Sequence, residues 1–266
     1  MGICIFCNKE NQAKSIEHIV SESFGNKQYI VERGRVCDDC NSRFSKFEGE
    51  ALSNTVFVME RARFGIETKK GKNVKGKVAG LTITGNEDFE KNRITVHGIT
   101  EKNFTDFDAT TQTGRLIVKT FDKNEVAASR LLLKTGLESI FTSQRKLFKR
   151  YDIQDLQNYM AGVSNTDWPF LTTDLELTKF NSVPIQYDKY LLNKIRCKLI
   201  YSEVNETTLL FKFKYGGIPM VINLLNRNLN WLPAYLEKGA MLYPEHFVKK
   251  VEKLRKQSNV TEIQAE

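Results

Sequence analysis

The sequence predicts an α+β protein in two parts, a small cysteine-stapled unit at the N-terminal end and a larger module of mixed sheet and helix after it. Three observations carry this. Two Cys-x-x-Cys pairs, Cys4 with Cys7 and Cys37 with Cys40, bracket a short apolar run, and the second pair opens a segment of helical periodicity. Further on, short β-rich runs bounded by Gly, Asn and Asp turns are followed by helical spacings, with no internal repeat. At 266 residues the chain is far longer than about fifty residues around a metal can organise, so a second core must form after Leu52. The expected division is 1–52, then 53–256, then a frayed polar tail over 257–266.

A Cys-x-x-Cys turn points two sulfurs at one ion, and two such turns complete the tetrahedral shell that zinc takes in closed structural sites. The rival reading, two disulfides, requires an oxidising compartment. The chain opens with the mildly polar MGICIFCNKE and lacks the basic stretch and apolar core of an export signal. A thioredoxin-like redox pair fits less well, because two pairs are present and neither opens a helix in a βα unit. Cys4, Cys7, Cys37 and Cys40 are therefore expected to hold a structural Zn2+. The fifth cysteine, Cys197 in the run KIRCKLIY, reads as a small core residue.

Within the first part, KSIEHIV (14–20) reads as a short strand with Glu17 and His18 near its end. Residues 21–34 have turn composition, and a second short strand is expected around Arg35 and Val36. From Cys37 to Leu52, Phe44, Phe47 and Ala51 recur at spacings of three and four, as on an amphipathic helix, which puts Asn41 in the first turn.

Residues 4–52, with Cys-x-x-Cys on either side of Glu17-His18 and CDDCN opening the helix, resemble the zinc-stapled form of the HNH endonuclease family, a ββα-metal fold. The resemblance implies roles residue by residue. His18 matches the general base, Glu17 the acidic metal ligand and Asn41 the helix-borne metal ligand. The position of the family's middle Asn, nine residues before the helix ligand, is Glu32 here, and Asn26 is the candidate to hold the loop instead. Glu17 and His18 are neighbours, which on an ideal strand face opposite sides, so sharing one site requires the strand to end or bulge there.

Phosphodiester hydrolysis explains these residue types. A neutral imidazole near its pKa takes a proton from water at neutral pH, and one hard cation, Mg2+ or Mn2+, offsets charge on the phosphoryl and departing 3′ oxygens. The expected products are 5′-phosphate and 3′-hydroxyl ends. His97 and His246 have no matching partners and read as structural or exposed.

Net charge is +8 and the sequence pI about 9.1, which favours a polyanionic partner. The stretch KKGKNVKGK (69–77) has Lys69, Lys70, Lys72, Lys75 and Lys77 with two glycines and no acid, and is a candidate phosphate-contacting loop. Next come strand-like GLTIT, RITVHGI and RLIVKTF, expected to form a small antiparallel sheet. A helix is expected over 124–142, then basic SQRKLFKR, a second helix near 152–161 and the turn NTDWPF. Three strands follow, KIRCKLIYSEV, TTLLFKFKYG and IPMVINLL, and a last helix starts near Pro244 and runs through KKVEKLRK.

No apolar run approaches the roughly 20 residues that span a bilayer, so a cytoplasmic, membrane-free protein is expected. The functional expectation is a metal-dependent HNH endonuclease cutting DNA in restriction or anti-phage defence, with the larger module serving DNA recognition or dimerisation and a defence-system partner protein left open. Two alternatives stand beside it. One is a non-catalytic zinc-stabilised nucleic-acid-binding protein, and the other an HNH-fold nuclease acting on RNA.

Overall fold

The structure is a computed structural model and describes residues 2–184 and 197–252. A two-stranded ribbon, β1 (Gly2–Ile3) and β2 (Glu10–Asn11), flanks the first cysteine pair. α1 (Asp38–Ala51) follows the second pair and buries Cys40, Phe44, Phe47 and Ala51, the stripe its spacing predicts. Its first turn carries Asp38 and Asp39, which oppose the positive end of the helix dipole.

α2 (Thr55–Arg63), not anticipated from the sequence, starts one tight turn later. Fully buried Asn54 makes that turn: its side chain donates to the carbonyls of Ala51 (2.9 Å) and Asn124 (3.1 Å) and accepts from the amides of Lys123 (3.0 Å) and Asn124 (3.2 Å). Against α2 lies an antiparallel sheet of β3 (Lys75–Val78), β4 (Leu81–Gly85) and β5 (Ile94–His97). Val58, Ala62, Val78, Leu81 and Ile83 form its core. Gly76 allows the close approach, since a Cβ there would stand 2.7 Å from the Val58 methyls. A separate hairpin, β6 (Thr105–Asp108) with β7 (Thr113–Arg115), takes only the first residue of RLIVKTF. The rest of that run is irregular: Leu116 and Val118 turn onto the α2 cluster while Ile117 is 79 % exposed.

α3 (Glu125–Ser143) matches the expected helix and is capped by Asn124, whose side chain accepts from the Ala127 amide at 2.8 Å. It is buried on nearly all sides, as a helix in the middle of a core should be. α4 (Arg145–Arg150) and α5 (Gln154–Met160) follow. The main sheet is antiparallel throughout, in the order β13 (Met241–Tyr243), β8 (Phe170–Thr172), β12 (Ile218–Asn223), β11 (Thr208–Tyr215), β10 (Cys197–Asn205) and β9 (Asn181–Ser182). Its three long strands are those read from the sequence; residues 194–196 of the first lie outside the described residues.

One face of this sheet presents Phe211, Phe213, Tyr215, Met220 and Ile222 to α3 and the N-terminal unit. The other presents Leu171, Leu210, Val221 and Leu242 to α6 (Pro233–Leu236) and to a helical segment at 246–252. Burial on both faces explains the continuous apolar runs in β11 and β12. The expected helix near Pro244 thus begins two residues later, and its continuation and the expected tail lie outside the described residues. One contiguous core runs from Cys4, Phe24 and Phe44 to Leu131, Phe170 and Phe213, so residues on both sides of Leu52 share it. Among the described residues no helix is long and apolar enough to cross a membrane.

Candidate active site

The four cysteine sulfurs Cys4, Cys7, Cys37 and Cys40 lie within 4.8 Å of one another, and Cys7 Sγ stands 3.7 Å from Cys37 Sγ. A tetrahedron with zinc–sulfur bonds of about 2.3 Å has edges of about 3.8 Å, so the donor set fits that ion. Backbone amides support the sulfurs: the Cys37 N–H donates to Cys4 Sγ and the Cys40 N–H to Cys37 Sγ, each at 3.4 Å. Asn8, with φ of 57°, closes the first turn, and its amide donates to the Cys4 carbonyl at 2.9 Å. Each thiol is free of disulfide bonding.

The expected strand over 14–20 is reduced to a single antiparallel bridge, His18 with Ile30. The Ile19 amide donates to the Tyr29 carbonyl (2.7 Å) and the Val31 amide to the Glu17 carbonyl (2.9 Å). The segment that pairs with 17–19 is therefore 29–31 and not the expected second strand around Arg35 and Val36; at Arg35, the carbonyl accepts from the Ile5 amide instead. Around that bridge the alternation of an extended strand persists: Glu17 and Ile19 are buried, while His18 and its bridge partner Ile30 lie on the more open side. Glu17, 8 % exposed, points inward, and His18 is half-buried beside it.

His18 Nδ1 is buried and has no hydrogen-bond partner among the described residues. Burial pulls its pKa below the ordinary 6.5; Glu22 opposes this, and Lys134 and Lys69 reinforce it. The ring is thus neutral at pH 7, the state a general base needs. Glu17 is pushed up chiefly by burial and held back by Lys134, whose ammonium contacts both Glu17 Oε1 and the His18 carbonyl oxygen.

Asn41 sits in the first turn of α1, half-buried, and its side chain makes no hydrogen bond among the described residues. Two turns on, at the same stripe of the helix, Glu48 lies 3.0 Å from Lys134 Nζ, so this face of α1 is turned toward Glu17. Asn26 holds the loop. Wholly buried, it donates to the carbonyls of Val20 (2.5 Å) and Tyr29 (3.2 Å) and accepts from the amides of Gln28 (3.0 Å) and Tyr29 (2.9 Å). Glu32 is outside, paired with Arg35 (3.2 Å) and Arg145 (2.6 Å).

All five loop lysines are exposed. Lys69 pairs with Glu22 at 2.8 Å and stands within electrostatic reach of His18. Lys70 and Lys72 occupy the turn that closes the Glu67–Asn73 bridge. Lys75 and Lys77 lie on the outer face of β3, opposite Gly76 and Val78. Sequence reasoning missed Lys134 and Glu138, although two charges four apart inside an apolar helical stripe were the available signal.

Residues 4–57 match the family model described as HNH endonuclease. Comparisons with curated proteins and with solved structures gave no match. The class defined is an α+β protein whose N-terminal part is an HNH unit with a four-cysteine cluster. The match ends inside α2: it takes in the cysteines, Glu17, His18 and Asn41, and excludes Lys134 and the main sheet.

Proposed function

We propose that the protein is a metal-dependent endonuclease that hydrolyses DNA phosphodiester bonds, acting in restriction or anti-phage defence. The observation that carries this reading is a half-buried His18 whose Nδ1 has no partner among the described residues, next to buried Glu17 and inside the segment matched to the HNH endonuclease family. His18 accepts the proton of the attacking water. Glu17 and Asn41 hold one Mg2+ or Mn2+, which offsets the charge gathering on the phosphoryl and leaving oxygens. Cys4, Cys7, Cys37 and Cys40 hold a structural Zn2+ that fixes the ends of the ββα unit. The net charge of +8 and the exposed lysines Lys69, Lys70, Lys72, Lys75 and Lys77 support a nucleic-acid substrate held by its phosphates.

One observation favours a second reading, a zinc-stabilised binding module without catalysis: Glu17 is already paired with Lys134. Purified protein assayed with Mg2+ or Mn2+ on duplex DNA, single-stranded DNA and RNA tests both. Cleavage of duplex DNA is expected, RNA cleavage alone would redirect the substrate, and binding without cleavage would favour the module. Glu17→Ala and Asn41→Ala are expected to raise the metal concentration required, and an unchanged titration for both would remove them as ligands.

A further inference from the structure

We infer that Lys134 is a positioning residue for the nuclease site, supplied by α3 from outside the segment matched to the HNH family; the inference rests on the function proposed above. Lys134 is 0 % exposed. Its Nζ contacts Glu17 Oε1 and the His18 carbonyl oxygen and lies 3.0 Å from Glu48 Oε1 and 3.3 Å from Glu138 Oε2. One ammonium therefore ties together the segment bearing the acid and base, the helix bearing Asn41, and a core helix 116 residues beyond His18.

Stability alone is a weak reason for this arrangement. Removing an ammonium and its carboxylates from water costs more than their attraction dependably returns, and apolar residues of similar volume often serve a core as well or better. Orientation is what an apolar residue would not supply. With Oε1 of Glu17 taken by Lys134, Oε2 is the oxygen left for a cation, and the His18 carbonyl is held by the same group. Partners that orient metal ligands in this way are typically worth about 10–100-fold in metal affinity or activity.

The test compares the full chain with Lys134→Met. Circular dichroism and zinc content check folding, calorimetry reads Mn2+ affinity, and cleavage kinetics separate KM from kcat. The expected result is an unchanged KM for DNA, kcat lowered about 10–100-fold and a Mn2+ dissociation constant raised by a similar factor. Because Met alone leaves the carboxylates without a counter-charge, which by itself attracts a cation, the charge-balanced Lys134→Met/Glu138→Met is run beside it and is the Met variant whose Mn2+ affinity is judged. Lys134→Arg keeps the charge but changes its geometry, and decides the matter where the Met variants do not fold: it too is expected to weaken Mn2+ binding and kcat. Parent-like affinity and kcat in the folded double variant or in Lys134→Arg would overturn the role. A parent that binds Mn2+ yet cuts no nucleic acid rejects the nuclease reading and leaves the affinity comparison to judge Lys134; a parent that binds no Mn2+ rejects both.

Discussion

Between Cys4 and Val36 no strand exceeds two residues, whereas between Phe170 and Tyr243 three of the described strands run for six to nine. The first region is nevertheless as well buried at its centre, with Cys4, Phe6, Ile19, Val20 and Asn26 all inaccessible. Beside its share of the common core it carries a few polar and sulfur groups at fixed places: four cysteine sulfurs within 4.8 Å of one another, and Asn26 with four hydrogen bonds to backbone. The sheet is organised instead by many apolar contacts, no single one of which is indispensable. A region held by few strong groups should fail abruptly when one is removed, and a region held by many weak ones should degrade by degrees.

The largest expected effect breaks the first region outright. Structural zinc contributes about 10–16 kcal/mol in small peptides, so Cys37→Ser should disorder the N-terminal unit while β10–β12 keep their pairing. Hydrogen exchange should show lost protection around Ile19 and Asn41 and retained protection in Phe211 and Val221. A metal content already below about one zinc per wild-type chain would remove the closed four-thiolate site.

Next in size is His18→Ala, which leaves the cysteines and basic surface intact. Cleavage should fall about 10²–10⁴-fold while DNA binding persists. In the parent, the base must be neutral and burial sets its pKa below 6.5, so the acid limb of the pH–rate profile should also lie below 6.5. A bound cation would move it the same way. An acid limb above 6.5, or full activity in the variant, would place the base elsewhere.

Asn26→Ala tests the polar staple without touching metal or base. It strands buried backbone groups, each worth about 1–3 kcal/mol, and should lower the melting temperature and slow cleavage together. A melt that overlays the parent would show that the loop is held by its apolar neighbours, as the sheet is.

The smallest expected effect concerns the basic face. Lys72→Ala/Lys75→Ala should flatten the dependence of log affinity on log salt by roughly two units, since each phosphate contact contributes about 0.9, with no change in sequence preference. Superimposable salt titrations would make these lysines ordinary solvated side chains and shift attention to Arg145–Arg150.

These contrasts explain what could be read in advance. The cysteine spacing, the stripe Cys40–Phe44–Phe47–Ala51 and the long apolar strands are local patterns, and local patterns survive in sequence. RLIVKTF looked like a strand because it is rich in β-favouring residues, but residues 116–119 find no partner edge, and propensity without a neighbour makes no sheet. α2 was hidden for the converse reason: its Val56, Phe57 and Val58 favour strands, and the group that caps its start is distant in sequence, the Asp122 carboxylate accepting from the Thr55 amide at 2.7 Å. The Lys134–Glu138 spacing marked a buried charge pair, but not its place, because the other partners of Lys134 lie on α1 and the 17–18 segment, far away in sequence.

Phe24 packs edge-on to Phe213 at 5.7 Å and against Tyr215 at 4.4 Å between ring centroids, and the Tyr215 hydroxyl donates to the Phe24 carbonyl across 191 residues of chain. During synthesis at roughly 5–20 residues per second, that aromatic seat reaches Phe24 roughly 10–40 s after Phe24 itself is made. For most of that interval Phe24 has the aromatic neighbour nearer to it in sequence, Phe57, 5.3 Å away between centroids, but not the sheet that completes its seat.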